Sequence, residues 1–316
     1  MSQAARAIRK PKALRRGSRL AWFAPASPIS DVNELNSGLQ ELARLGFEVF
    51  EAHTVTPSGY FAAPADVRLQ GFLGALNRAN VSGLIGLRGG YGSTYLLSAE
   101  LQSKLSEAKC VIGFSDLTAL QIYVWQMLGW VTFYGPMVSA GLNTGPNKLR
   151  GYDETSFLEA IGNAQGNWEV TLRGQVLKAG AAEGVVLGGC LTLVQTTLGT
   201  PWELDTTDAI LVLEDCAMKP YQVDRALMHL QQAGKFHSVR GVILGEFPKC
   251  EPPVAGSPTV REVCKRILEP LGVPIVFGAA VGHTPRPMLT VPLGVQARLR
   301  AEGEGKLTIL EPAVIE

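Results

Sequence analysis

The chain has 316 residues, of which 46% are hydrophobic and 18% are charged, with 35 glycines and a formal net charge of +1. This length allows one large α/β unit or two domains of ordinary size, and the composition is globular rather than disordered or fibrous. A net charge so near zero excludes the strong global field that draws nucleic acid or anionic membranes to a protein. The totals therefore favour a small substrate or a protein partner.

Residues 1–19 form a basic arm that contains no acidic residue. We expect a frayed terminus rather than a secretory signal, because charges interrupt the apolar core that such a signal needs. No window reaches the about 18 apolar residues of a membrane span. A cytoplasmic protein that binds neither nucleic acid nor membrane is therefore expected. The basic residues are Arg6, Arg9, Lys10, Lys12, Arg15, Arg16 and Arg19.

Five cysteines are scattered along the chain without a CxxC or other close pair. This odd, dispersed set argues against a disulfide framework and against a zinc site, so no metal is expected. Buried small apolar side chains in a reducing compartment are the better interpretation, and a catalytic thiol is the weaker one. The cysteines are Cys110, Cys190, Cys216, Cys250 and Cys264.

Short apolar runs alternate with helical patterns over residues 20–140. Strands that are apolar throughout and separated by helices predict a parallel sheet covered on both faces, and hence an α/β fold. In chain order the predicted elements are a strand Leu20–Ala24, a helix with Leu35, Leu39 and Leu42 that stops at Gly46, strands Gly83–Leu87 and Cys110–Phe114, and a helix Leu117–Leu128.

The stretch 141–184 is rich in glycine, asparagine and proline and shows little periodicity, so we interpret it as a linker along the surface. Regular patterns resume over 185–316. They predict strands Ala209–Leu213, Gly241–Gly245 and Lys306–Leu310, a helix with Val223, Ala226, Leu227 and Leu230 on one face, and a helix Val260–Leu271.

A candidate nucleophile follows the strand Cys110–Phe114, where Ser115 and Asp116 precede a helical pattern. A serine at a sharp turn between strand and helix projects its hydroxyl above the sheet edge, and the next backbone N–H points to where an oxyanion forms. The second glycine of the usual Gly-x-Ser-x-Gly elbow is missing. An ordinary helix N-cap at Ser115 or Asp116 therefore stays open as an alternative.

A serine nucleophile needs a base, and the chain has four histidines. His283 stands in a Gly/Pro-framed loop after an apolar strand, a setting that holds functional side chains rigidly at a sheet end. His53 and His237 are expected in solvated loops, and His229 on the surface of a helix.

Two carboxylates that could orient this base, Glu214 and Asp215, follow directly after an apolar run that is predicted to be a strand. In open α/β sheets the carboxyl ends of the strands line the crevice where ligands bind. Either residue fits, and Glu246 after the next strand is a third choice.

The loop Arg88-Gly89-Gly90-Tyr91-Gly92 follows the strand Gly83–Leu87. Glycines let backbone N–H groups face an anion, so the loop fits an oxyanion donor or a substrate carboxylate, with Arg88 adding charge-assisted bonds. A dinucleotide site is less well indicated, because no glycine follows Gly92 at the fingerprint spacing, and the absence of Gly-Lys-Ser/Thr excludes a P-loop.

Together these segments resemble the LD-carboxypeptidase family, which includes the microcin-immunity peptidases. Each match is weak alone, but the ordered set over about residues 20–300 is specific. The matching stretches are Arg88–Gly92, Ile112–Asp116, Tyr134–Met137, Leu187–Leu191, Leu198–Pro201, Leu213–Asp215, Pro220-Tyr221 with Asp224-Arg225, and Gly282–Pro285 with Val291–Gly294.

The resemblance implies a Rossmann-like parallel-sheet N-terminal domain (20–140) with the nucleophile, and a smaller β-rich α/β C-terminal domain (185–316) with the other two catalytic groups. Ser115 would be the nucleophile, His283 the base and Glu214 the acid. By the same resemblance the backbone N–H of Asp116 and one from Gly89 or Gly90 would form the oxyanion hole. Arg88 and Thr284 are candidate substrate contacts, with Arg286 as a further choice.

The activity that the resemblance implies is removal of the terminal D-alanine from a cytoplasmic muropeptide tetrapeptide, through an acyl-enzyme and without metal or organic cofactor. Members of the family are often homodimers. Cys190 stands where the family often has asparagine, and the basic arm is extra. Two alternatives remain: a microcin-type aminoacyl-nucleotide hydrolase, and a non-catalytic module that binds a ligand or dinucleotide.

Overall fold

The computed structural model describes residues 7–105 and 107–316. The first sheet has six strands, of which five are parallel and lie in the spatial order β5-β4-β3-β1-β2 once they are numbered along the chain. These strands are β1 (Arg19–Phe23), β2 (Glu48–Glu51), β3 (Gly83–Gly86), β4 (Cys110–Gly113) and β5 (Thr132–Tyr134).

The helices of this half are α1 (Val32–Arg44), α2 (Ala65–Leu76) and α3 (Thr118–Leu128). Asp31 starts α1 by accepting a hydrogen bond of 2.8 Å from the N–H of Asn33, and Gly129 ends α3 with a φ of +69° that glycine adopts without strain. The parallel sheet and the alternation of strand and helix confirm the predicted α/β class.

A second, eight-stranded sheet forms the other half. It has the order β6-β14-β13-β8-β9-β10-β11-β7, in which β8 to β11 are mutually parallel and the outer strands are antiparallel. The strands of this sheet are β6 (Trp168–Thr171), β7 (Gln175–Lys178), β8 (Gly180–Cys190), β9 (Ala209–Glu214), β10 (Gly241–Leu244), β11 (Ile275–Phe277), β13 (Gln296–Ala301) and β14 (Lys306–Ile309). The strand between β11 and β13 in the chain, β12 (Val291–Leu293), belongs to the first sheet.

The helices of the second half are α4 (Glu154–Gly162), α5 (Leu191–Thr196), α6 (Pro220–Gln232) and α7 (Val260–Leu268). Thr259 and Glu262 form a reciprocal capping box at the start of α7. The predicted helix to Leu271 ends earlier, at Leu268, because Pro270 cannot supply a backbone N–H and a 3₁₀ turn, Glu269–Leu271, replaces the last α-helical turn.

The linker prediction for 141–184 is corrected by the structure, because this stretch contains α4, β6, β7 and the first residues of β8. In β6, Trp168 and Val170 are buried while their neighbours are exposed, so the strand alternates as an edge strand should. With only four residues each, β6 and β7 are too short to show this period among the surrounding glycines.

One core joins the two sheets. Side chains of β9 alternate between its faces, so that Ile210 and Val212 belong to the apolar cluster that also contains the first sheet, while Leu211 and Leu213 belong to the cluster that contains α6 and α7 residues. In addition, β12 comes from the C-terminal part of the chain but pairs antiparallel with β5, and completes the first sheet at its edge. Among the described residues, no helix is long and apolar enough to cross a membrane.

The basic arm is docked from Arg9 onward, which corrects the expectation of a frayed terminus. The N–H of Arg9 donates to the carbonyl of Gly129 at 2.8 Å, and the N–H of Ala13 donates to that of Ile315 at 2.7 Å. Leu14 is buried in the core. A single apolar residue among many basic ones gives no sequence signal for such packing. Arg6, which the prediction included, lies outside the described residues.

Candidate active site

Ser115 begins the turn between β4 and α3, at the carboxyl end of the first sheet. Its φ is +62°, a left-handed conformation that is uncommon for a residue with a side chain and that clusters at functional turns. A short 3₁₀ turn, Ser115–Leu117, leads into α3, whose N-cap position is Leu117 and has no side-chain cap. The N-cap alternative for Ser115 and Asp116 is therefore wrong.

The glycine loop after β3 lies against this turn. A Cβ on Gly89 would stand 2.8 Å from the Cβ of Ser115 and 3.6 Å from the backbone nitrogen of Asp116, so only glycine permits the approach. The buried carboxylate of Asp116 accepts a hydrogen bond of 2.7 Å from the N–H of Ser93, which ties the far end of the loop to the serine turn. Burial raises the pKa of Asp116.

Two hydrogen bonds join His283 to Glu214, the last residue of β9. Nδ1 of His283 lies 2.8 Å from Oε2 of Glu214, and the backbone N–H of His283 donates to the same oxygen at 2.8 Å. Tyr134, the last residue of β5, donates its hydroxyl to Oε1. Glu214 is completely buried, and these three donors satisfy both of its oxygens.

Tyr134 also connects the acid to the serine turn, because its hydroxyl accepts a hydrogen bond of 3.4 Å from the backbone N–H of Ser115. Sequence reasoning assigned no role to Tyr134. Its position at the carboxyl end of a parallel strand, the same rule that singled out Glu214, was the available signal.

The contact with Glu214 leaves Nε2 of His283 as the nitrogen that can exchange a proton at the site. Burial acts to lower the pKa of His283, but the negative charge of Glu214 and hydrogen bonding with Cys216 and Glu214 outweigh it. The pKa of His283 is thereby raised above its ordinary value of 6.5.

Ser115 and His283 line one cavity of about 360 Å³, together with Arg88, Gly89 and Gly90. The rings of Phe114 and His283 pack edge to face, with centroids 5.1 Å apart. Over the described residues, no hydrogen bond joins the Ser115 hydroxyl to the imidazole. Catalytic hydrogen bonds are often long without substrate and tighten when it binds, so a shared cavity is the relevant geometry.

The other two candidate acids, Asp215 and Glu246, have hydrogen-bond or ion-pair partners other than His283. Oδ2 of Asp215 accepts hydrogen bonds from the N–H of Thr192 at 2.9 Å and from its hydroxyl at 2.7 Å, at the start of α5. Glu246 accepts from the Thr284 hydroxyl and lies 3.1 Å from Nε of Arg286. Of the three acids, Glu214 is the one in contact with His283.

The expected substrate contacts differ in position. Arg88 lines the serine cavity and donates to the carbonyl of Pro28 at 3.1 Å. Thr284 lines a second cavity of about 490 Å³ that also includes His283, Arg150 and Lys249. Arg286 lines neither of these cavities, because its guanidinium is anchored to backbone carbonyls and to Glu246.

Arg150 and Lys249 are cavity residues that sequence reasoning missed. Arg150 fell in the stretch interpreted as a linker, and Lys249 follows β10 in an irregular loop. Cys190, which stands where the family often has asparagine, is buried, and its sulfur lies 3.5 Å from Oδ2 of Asp215. It lines neither of the two cavities.

The remaining histidines stand apart from these cavities. His229 and His237 are exposed as predicted, whereas His53 is buried and accepts a hydrogen bond of 3.4 Å from the N–H of Ala24. His53 is therefore a structural residue under α2, not the solvated loop residue that was expected. No group of three or more histidine, cysteine or acidic side chains is placed to hold a metal ion within 7–105 and 107–316.

Comparison with known proteins finds carboxypeptidases that are similar to this chain over nearly its whole length. The probable murein peptide carboxypeptidase of Bacillus subtilis is 31% identical over 312 residues, 97% of this chain and 96% of that protein. The crystal structure of muramoyltetrapeptide carboxypeptidase from Oxalobacter formigenes has 26% identity and a TM-score of 0.79, covering 94% of this chain and 100% of that one.

A second group of relatives is the microcin C7 self-immunity protein MccF. The Escherichia coli protein is 25% identical over 312 residues, 89% of this chain and 90% of that protein. The structure of MccF in complex with aspartyl sulfamoyl adenosine has 23% identity and a TM-score of 0.86, covering 96% of this chain and 99% of that one, which shows a common fold.

Family models match both halves of the chain. The LD-carboxypeptidase N-terminal domain matches residues 20–135, and the LD-carboxypeptidase C-terminal domain matches residues 183–299. The two matches include the serine turn, the glycine loop and the Glu214–His283 pair. The chain therefore belongs to the LD-carboxypeptidase family of peptidases, family S66.

Proposed function

We propose that this chain is a serine LD-carboxypeptidase that removes the terminal D-alanine from a cytoplasmic muropeptide tetrapeptide. The observation that carries the proposal is the shared cavity. It brings a serine with φ of +62° together with a histidine held by a buried glutamate. The relatives named as murein peptide and muramoyltetrapeptide carboxypeptidases support this choice of substrate.

In the proposed reaction, Nε2 of His283 takes the proton of the Ser115 hydroxyl as the oxygen attacks the diaminopimelate carbonyl. The backbone N–H of Asp116 and one from Gly89 or Gly90 stabilise the oxyanion. Protonated His283, held by Glu214, then gives its proton to the departing D-alanine amine, and water hydrolyses the acyl-enzyme. Every proton step runs through the chain's own side chains.

For the terminal carboxylate of the substrate we propose Arg88, which lines the serine cavity. Thr284 is the second of the proposed contacts, and the cations Arg150 and Lys249 line the neighbouring cavity with it. A guanidinium can bind a carboxylate through two parallel hydrogen bonds, so Arg88→Ala should raise KM more than it lowers kcat.

The test is mass spectrometry of the products that the purified protein releases from muropeptide tetrapeptide. Wild type should release D-alanine, and Ser115→Ala should reduce kcat by about 10⁴- to 10⁶-fold without unfolding the protein. Ser103→Ala, which changes an exposed serine whose hydroxyl bonds only locally to Glu100, is the matched control. A fluorophosphonate should label wild type at Ser115. Full activity or labelling in Ser115→Ala would eliminate the mechanism.

A second candidate function is hydrolysis of an aminoacyl-nucleotide, which the likeness to MccF favours. Parallel assays on the tetrapeptide and on an aminoacyl-sulfamoyl adenosine discriminate the two by kcat/KM. A non-catalytic binding module would show neither cleavage nor labelling. We also propose a homodimer, which sedimentation velocity would show as twice the 33.8 kDa of the chain.

A further inference from the structure

The loop after β9 places a cysteine beside the proposed base, and the catalytic scheme does not use it. Cys216 stands two residues beyond Glu214 and lines the cavity of about 490 Å³ together with His283. A hydrogen bond joins its thiol to the imidazole of His283. All five cysteines lie in the described part of the chain, and Cys216 is the one that is not buried. The thiol therefore contacts the base and is open to a small reagent from the cavity.

Hydrogen bonds on both sides fix the turn that carries this thiol. The backbone N–H of Cys216 donates to Oδ1 of Asp215 at 2.8 Å, and Oδ2 of the same carboxylate is bound by Thr192. The N–H of Ala217 donates to the carbonyl of Pro248 at 2.9 Å, and the φ of Ala217 is +57°. A residue with a side chain adopts this conformation only where its surroundings hold it. The position of the thiol is therefore set by the fold.

Cys216, His283 and Glu214 are joined as a nucleophile, a base and an orienting acid. Because Nδ1 of His283 already faces Oε2 of Glu214, Nε2 is the ring nitrogen left for the thiol. A nucleophile in contact with a base that is itself held by a third group is the arrangement that activates cysteine in enzymes. These contacts distinguish Cys216 from an isolated cysteine.

The position of Cys216 does not suit a second peptidase nucleophile. Cys216 does not line the serine cavity, where the loop residues Gly89 and Gly90 lie. Acyl transfer depends on donors that stabilise the oxyanion, and these are proposed to face Ser115. Attack of a thiol on a small electrophile such as a peroxide forms no tetrahedral oxyanion and needs no such donors. The geometry therefore fits a site of covalent modification.

We propose that Cys216 is a modification site at which a hydroperoxide oxidises the thiol to a sulfenic acid. His283 takes the thiol proton, the sulfur attacks one peroxide oxygen, and the O–O bond breaks. The proton then passes from His283 to the departing oxygen, so hydrogen peroxide yields the sulfenic acid and water. The sulfur is oxidised and the peroxide is reduced.

The modification would inhibit the enzyme reversibly. The added oxygen stays beside the imidazole and occupies space next to it, so His283 is withheld from the Ser115 hydroxyl. A thiol reductant returns the sulfenic acid to the thiol and restores the base. This consequence rests on the proposed function, whereas the reactivity of the thiol does not.

The other four cysteines provide an internal comparison. Burial raises the pKa of each of their thiols. Because the thiolate is the species that reacts, these buried thiols should be inert toward peroxide. They are Cys110, Cys190, Cys250 and Cys264.

The experiment treats the purified protein with hydrogen peroxide, traps sulfenic acid with dimedone and locates the adduct by mass spectrometry of peptides. Wild type should carry the adduct at Cys216, lose activity on the tetrapeptide and regain it with dithiothreitol. Cys216→Ser, compared with its own untreated activity, should resist peroxide. Glu214→Gln should slow labelling of Cys216 by about tenfold, the factor that one hydrogen bond to a charged group carries.

Cys264→Ala is the matched control, because it removes a buried thiol in α7, and it should be inactivated at the wild-type rate. Absence of an adduct at Cys216, or equal loss of activity in Cys216→Ser and wild type, would overturn the inference while leaving the proposed function intact. If wild type is labelled at Cys216 but cleaves no tetrapeptide, the proposed function falls and the reactive thiol stands.

Discussion

At the scale of single residues, the site is organised around the buried carboxylate of Glu214. A buried charge is costly unless hydrogen bonds satisfy it, and here Tyr134 and two N–H groups of His283 do so. Because these donors come from β5 and from the loop after β11, the acid also ties the two halves together. The network therefore orients the imidazole and stabilises the fold at once.

The role of Tyr134 is testable with Tyr134→Phe, which removes the donor to Oε1 of Glu214. A hydrogen bond to a charged group is worth about 1.5–3 kcal/mol, so kcat should fall by about tenfold or more as Glu214 loses its fixed orientation. Tyr123→Phe removes a comparable hydroxyl that donates to Ser98 at 2.7 Å outside the site, and should change stability alone. Unchanged kcat in Tyr134→Phe would contradict the positioning role.

The raised pKa of His283 predicts a pH dependence. In the proposed mechanism only the neutral imidazole can accept the Ser115 proton, so kcat/KM should fall as the pH decreases through this pKa. Half-maximal activity is therefore expected above pH 6.5, the ordinary value for histidine. Glu214→Gln removes the negative charge that raises the pKa, so its residual activity should have a midpoint at lower pH. A pH–rate profile of both proteins checks this, and a midpoint that moves upward would refute the assignment.

At the scale of elements, the site is assembled from strand ends. The serine turn follows β4, the glycine loop follows β3, Tyr134 ends β5 and Glu214 ends β9. Parallel strands bring their carboxyl ends to one edge of a sheet, and the two sheets face their edges toward a common cavity. Loops on such a rigid base can hold a strained residue such as Ser115.

The glycine loop allows a prediction at this scale, through Gly89→Ala. The new methyl group would overlap the side chain of Ser115, so activity should fall by at least about 100-fold while the fold persists, as expected when reacting groups are displaced by about 1 Å. Gly74→Ala on α2 is the control, because its Cβ would meet nothing within 4 Å, and it should raise stability by about 1 kcal/mol. Thermal unfolding and kcat/KM measure both effects; an active Gly89→Ala protein would disprove the close approach.

At the scale of the whole molecule, the two sheets share one core. Ile210 and Val212 of β9 belong to the same apolar cluster as the strands of the first sheet, and β12 crosses from the C-terminal part to pair with β5. The docked basic arm adds a further link, since Arg9 pairs with Trp130 and Lys12 with Ile315. These contacts join segments that lie far apart in the chain, although a second apolar cluster, between the eight-stranded sheet and α5, α6 and α7, lies almost entirely within the C-terminal half.

A shared core predicts that the two halves unfold together. In urea, far-UV circular dichroism and tryptophan fluorescence should report one coincident transition, because tryptophans are present in both halves and breaking the interface exposes both cores. Val212→Ala, in the apolar cluster that contains residues of both sheets, should lower the midpoint of that transition without splitting it. Two separated transitions would show that the halves are independent.

The sequence by itself determined the elements with strong local signals. The buried strands before Ser115 and Glu214 are apolar throughout, and the glycine loop and the Gly/Pro frame of His283 follow from backbone requirements, so all three were predictable. The resemblance to the LD-carboxypeptidase family then assigned the proposed roles of Ser115, Glu214 and His283. The edge strands in 141–184 and the docking of the arm were missed, because four-residue strands and single buried side chains leave no periodic signal.

Only the tertiary structure decided which side chains meet. Glu214 and Asp215 are adjacent in sequence and chemically alike, but one reaches His283 while the other binds the first turn of α5. The contact of Tyr134 with Glu214 and that of Cys216 with His283 likewise join residues from separate segments. The physical reason is that local sequence fixes backbone conformation, whereas contacts between distant segments depend on how the sheets pack.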